Sequence, residues 1–124
     1  MDQKRVYIQL SYKGTRYSGW QIQPNAPTVQ ADVEKALSKL YNQSMQVVGC
    51  GRTDAGVHAV QYFCHLDVQS DRFQNIELAY KLNGVLGDDI SIAKILDVKP
   101  GAHARFDATL RSYFYNIHFD KNPF

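Results

Sequence analysis

The chain is poor in the features that mark exported, cross-linked or membrane-bound proteins. Its two cysteines, Cys50 and Cys64, need no disulfide in a reducing compartment. Both fall where a strand or its edge is expected, a setting in which free cysteine behaves as a small apolar side chain. Together with His58 and His65 they match no zinc-ligand spacing, so no metal is expected. No apolar run approaches the roughly 20 residues of a membrane span. Met1-Asp2-Gln3-Lys4-Arg5 leads straight into a strand pattern without a signal-peptide core, and a cytoplasmic protein is expected. Excess charge is also missing: the net charge of +2 does not announce a nucleic-acid binder. One local absence says more. No acidic residue lies between Asp2 and Asp32, while Lys4, Arg5, Lys13 and Arg16 fall there, interleaved with Tyr12, Tyr17 and Trp20. Such a stretch either presents cations to phosphates and rings to bases, or is a solvated loop whose aromatics close the core.

What is present reads as one domain of 124 residues. Val6, Ile8, Leu10 and Tyr12 alternate with Tyr7, Gln9 and Ser11, which predicts a strand with one buried face. A loop from Lys13 to Pro27 follows. Thr28 is placed to cap a helix carrying Val29, Val33, Ala36, Leu37 and Leu40. Gln46 to Val48 reads as a short strand. Val60, Tyr62, Cys64, Leu66 and Val68 then share one strand face, with Gln61, Phe63, His65 and Asp67 on the other. A second helix over Asn75 to Asn83 carries Ile76, Leu78, Ala79 and Leu82, with Gly84 as its stop. Strands are predicted at Ile90 to Val98 and around Tyr113, Tyr115, Ile117 and Phe119. The order β-α-β-β-α-β plus one more strand predicts an α+β, ferredoxin-like domain: a mostly antiparallel sheet with two helices on one face. The chain stops at Asn122-Pro123-Phe124 soon after a strand, so a fragment of something longer is expected.

Three places carry candidate chemistry. In Cys50-Gly51-Arg52-Thr53-Asp54-Ala55-Gly56-Val57-His58-Ala59 a guanidinium and a carboxylate stand two residues apart between glycines. Glycine lets a ligand approach the backbone closely, and Arg suits a phosphate or carboxylate. The same residues also make an ordinary turn. No Gly-Lys-Ser/Thr follows, which excludes a P-loop. Asp88-Asp89 reads as the entry to a strand. His103-Ala104-Arg105-Phe106-Asp107-Ala108, with Arg111 and Tyr113, is basic and aromatic. It reads either as a core-plugging loop or as a second cleft wall, with Arg105 on phosphate and Tyr113 against a base.

The run Gly51 to Ala59 resembles the signature of the tRNA pseudouridine synthase A family. Three further stretches agree in family order: Tyr12 to Gln21, Asn83 to Ile90, and His103 to Ala108 with Arg111 and Tyr113. The resemblance implies isomerisation of uridine to pseudouridine in the tRNA anticodon arm, at positions 38, 39 and 40. It implies that Asp54 is the essential catalytic carboxylate, that Tyr113 lies against the target base, and that Arg52 helps hold flipped-out RNA. Thr53, His58, Arg105, Lys13 and Arg16 complete the substrate-binding set expected on the matched motifs. No metal or organic cofactor is implied. The family's homodimers grip tRNA across both subunits, so tRNA and a second copy are the expected partners.

This sequence departs from the family at Lys13, where Asp is frequent, and at Gly87, where Pro is frequent. Family members also carry a second, similarly folded half that supplies the other cleft wall and a basic partner for the Asp. This chain is therefore expected to be the N-terminal catalytic half. The chemistry breaks N1–C1′, rotates the base and joins C5 to C1′, with neither a redox step nor phosphate transfer. A carboxylate serves it as nucleophile or as base. A base inside a stem must first be extruded, at a few kcal/mol. The alternative is a non-catalytic RNA-binding module, whose sheet stacks bases on exposed aromatics, or a fragment that works only with its missing half.

Overall fold

A computed structural model describes residues 3–104. Strand β1 (Gln3–Tyr12) leads through a short 3-10 turn (Gly14–Arg16) and a loop to helix α1 (Val29–Tyr41). Strands β2 (Val48–Gly49) and β3 (Ala59–Gln69), helix α2 (Asn75–Val85) and strand β4 (Ile90–Val98) follow. The sheet order is β2-β3-β1-β4. All three neighbouring pairs are antiparallel, with Ile8 opposite both Cys64 and Ile95. This is the expected α+β, ferredoxin-like arrangement.

Local chemistry sets the elements. The Thr28 hydroxyl accepts from the Ala31 N–H at 3.3 Å, satisfying a donor that the first turn of α1 leaves free. Asn42 ends α1 in the left-handed conformation, at φ 54°. Val33, Ala36 and Leu37 of α1 and Leu78 and Leu82 of α2 pack onto Val6, Ile8 and Leu10 of the central strand, forming the main core.

Four sequence expectations change. Gly84 does not stop the second helix but lies inside α2, which runs to Val85 and is capped by Leu86. Ile76, expected on the apolar face, is 86% exposed. The short strand lies at Val48–Gly49 rather than over Gln46 to Val48. The sheet also buries part of its second face. Tyr7, Phe63 and His65 lie under Ala102 and Ala104, and the Ala104 N–H donates to His65 Nδ1 at 2.9 Å. The strand expected around Tyr113 to Phe119 lies outside the described residues.

Candidate active site

The Gly51-to-His58 loop leaves β2, crosses the end of the sheet and enters β3. It has little structure of its own. One turn closes it, with the Val57 N–H donating to the Asp54 carbonyl at 3.2 Å. Gly56 occupies the third turn position at φ 81°, a backbone that L side chains rarely adopt. The rest of its order is borrowed from neighbours.

The main neighbour is the 14–19 segment, which the loop touches backbone to backbone. A Cβ on Gly14 would lie 1.9 Å from the Val57 carbonyl oxygen, and one on Gly19 would lie 2.1 Å from that of Thr53. Gly19 is itself at φ 86°. Hydrogen bonds follow the contact. The Gly56 N–H donates to the Tyr17 carbonyl at 3.1 Å, and the Gly14 N–H donates to His58 Nδ1 at 2.9 Å. From below, the Tyr12 hydroxyl meets the Thr53 hydroxyl at 2.8 Å. The Tyr62 hydroxyl accepts from the Gly51 N–H at 3.2 Å and donates to the Gly51 carbonyl.

This packing holds Arg52, Thr53, Asp54 and Ala55 along one side of an open cleft of about 600 Å³. Ser18, Gln21, Ile22, Gln23 and Pro24 form the other side. A volume of this size takes a nucleotide-sized ligand. Arg52 and Asp54 are both exposed. The ion pairs among the described residues join Lys4 to Asp97, Arg5 to Asp67 and Arg16 to Asp89, and neither Asp54 nor Arg52 takes part in them. Cys50, at the loop's entrance, is no rival nucleophile: burial pushes its thiol up, away from the thiolate.

The structure separates the other expected residues. Thr53 and Asp54 share the cleft with Arg52, whereas His58, Lys13 and Arg16 do not line it. His58 turns Nδ1 to the Gly14 backbone. Arg16 pairs with Asp89, although three-quarters of its side chain stays exposed, and Lys13 is exposed. Arg105 and Tyr113 lie outside the described residues. Of the aromatics offered for base stacking, Tyr12 and Trp20 are buried beside Tyr62, the Trp20 and Tyr62 rings 4.4 Å apart. They close the core. Tyr17 is half-buried and donates to Asp32 at 2.7 Å. Sequence reasoning missed Ser18, Gln21 and Gln23 as cleft wall. It also missed Tyr62 as a support, for which alternation gave only a buried strand position.

Among the described residues, no group of three His, Cys, Asp or Glu side chains is placed to hold a metal ion. None of their helices is long and apolar enough to cross a membrane.

Comparison with known proteins bears on the same segments. A family model described as tRNA pseudouridine synthase matches residues 9–107. A protein of Porphyromonas gingivalis named tRNA pseudouridine synthase A is 50% identical over 121 residues, covering 97% of this chain and 48% of the relative. A protein of the same name from Bacteroides fragilis is 48% identical over 124 residues, covering 100% of this chain and 49% of the relative. Another, from Aquifex aeolicus, is 38% identical over 119 residues, covering 94% and 49%. The chain spans about half the length of the curated relatives it matches.

Proposed function

Because the chain belongs to the tRNA pseudouridine synthase family, we propose that it is the N-terminal catalytic half of an enzyme that isomerises uridine to pseudouridine in the tRNA anticodon arm, at positions 38, 39 and 40. The observation that carries this reading is the placement of Asp54. It is an exposed carboxylate on the wall of a nucleotide-sized cleft, on a loop fixed by two neighbouring segments.

In this reading the target uridine leaves the stem and enters the cleft, with Arg52 beside Asp54 as the cation for its phosphate. Asp54 then acts as nucleophile at C1′, or as base on the sugar or on the detached uracil. The N1–C1′ bond breaks and the C5–C1′ bond forms. C5 gives up its hydrogen to solvent and N1 gains one, so atoms balance without a cofactor. The remaining length of the relatives covers the open side of this cleft and supplies a cation facing Asp54. Two copies grip the tRNA together, in the cytoplasm.

The test is tritium release from tRNA transcripts carrying [5-³H]uridine. It is run on this chain and on a version extended to the length of the relatives. Release by the extended protein supports the reading, and release by the short chain would show that one half assembles a working site. Binding of tRNA without release by either would favour the RNA-binding module.

A further inference from the structure

The loop that carries Asp54 is held at both ends by side chains. One residue before Asp54, the Thr53 hydroxyl is fixed by Tyr12 at 2.8 Å. Four residues after it, His58 Nδ1 accepts the Gly14 N–H at 2.9 Å. Between these clamps the loop has one internal turn bond and one bond to the Tyr17 carbonyl. The clamps differ in kind. Burial of Tyr12 favours its neutral phenol, so that clamp is insensitive to pH near neutrality. The histidine clamp works only while Nδ1 has a free lone pair, which places the ring hydrogen on Nε2. A proton on Nδ1 would point at the Gly14 N–H and turn an attraction into a repulsion.

We propose that His58 is a positioning residue rather than a substrate ligand: its neutral imidazole pins the Asp54 loop to the Gly14–Gly19 segment, and its protonation unlatches that loop and disables the cleft. The proposal rests on the catalytic reading of Asp54. The charged groups on the elements against His58 are Lys13 and Arg16 at the 3-10 turn, Asp89 through its pair with Arg16, and Arg52 and Asp54 in the same loop. Tyr17, the remaining titratable group of that segment, is kept neutral by burial and its bond to Asp32.

Two variants separate the roles. His58→Asn offers Oδ1 near the position of Nδ1 and does not titrate. His58→Phe keeps a ring and removes the acceptor. In steady-state tritium release, His58→Phe is expected to lose roughly 10–100-fold in kcat, the scale of a misplaced catalytic group, with KM for tRNA unchanged. His58→Asn is expected to recover most of that loss. The wild type should lose kcat on the acid side at the midpoint at which ring NMR shows His58 taking up a proton, and His58→Asn should not. A rise in KM with kcat retained would instead make His58 a substrate ligand and overturn the proposal.

A second measurement needs no turnover. The Gly14 amide of the 124-residue chain should be protected from hydrogen exchange, and should lose that protection as His58 protonates. Protection that ignores His58 protonation overturns the latch. If the wild type releases no tritium, the catalytic reading has failed, and the exchange experiment still decides whether the latch exists.

Discussion

At Gly19 the positive φ and the Thr53 carbonyl leave no room for a methyl group. Gly19→Ala is therefore expected to cost roughly 1–3 kcal/mol, the usual range for a strained backbone. Gly51, in the same loop but with nothing within 4 Å of its would-be Cβ, is the control. Gly51→Ala is expected to stay within about 0.5 kcal/mol. Urea titrations of both variants check the pair, and equal losses would show that the two loops do not touch as described. The candidate site was partly legible at this scale. Arg52, Thr53 and Asp54 are adjacent in sequence and end in one cleft, so their grouping survives folding. His58 is four residues from Asp54, yet its partner is Gly14, a pairing across 44 positions that no local pattern reveals.

Among the elements, α1 was the plainest in the sequence. A capping threonine precedes an unbroken helical stripe, and both signals are local. Leu37, fully buried on that stripe, is expected to cost about 2–5 kcal/mol as Leu37→Ala. On α2, Ile76→Ala is expected to stay within about 0.5 kcal/mol, because Ile76 is exposed. Thermal unfolding of the two variants distinguishes a packed face from an exposed one. Helix α2 was harder to read because its apolar residues fall all round it: Leu78 and Leu82 face the core while Ile76 and Tyr80 face outward. Periodicity then misplaces Ile76, and a glycine near the end passes for a stop. The second buried face of the sheet was not legible either. Tyr7 and Phe63 look like outward positions of alternating strands until residues 102 and 104, far along the chain, cover them.

The whole molecule is built around neutral phenols. Tyr12, Tyr41 and Tyr62 are buried, and burial raises all three, with Tyr41 pushed up to about 12. A group raised in the folded state stabilises that state fully below its ordinary value, and loses this as pH rises through the folded value. Stability is thus expected to hold to about pH 10, the ordinary phenol value, and to fall through the range up to about 12. Phenolate absorbance of the buried rings should appear together with loss of circular dichroism. Early, non-cooperative ionisation of every tyrosine in a folded chain would contradict this. Cys64, fully buried with its thiol held up by burial, should resist alkylation until the same transition.

In the proposed reaction the Asp54 carboxylate does the chemistry. Asp54→Asn keeps the shape of the side chain and removes its charge, and Asp54 supports no ion pair among the described residues. Tritium release by Asp54→Asn, in the version extended to the length of the relatives, is the most direct test. Turnover is expected to vanish while tRNA binding and thermal stability remain. Measurable release by the purified variant would contradict the account and return the loop to the status of a turn.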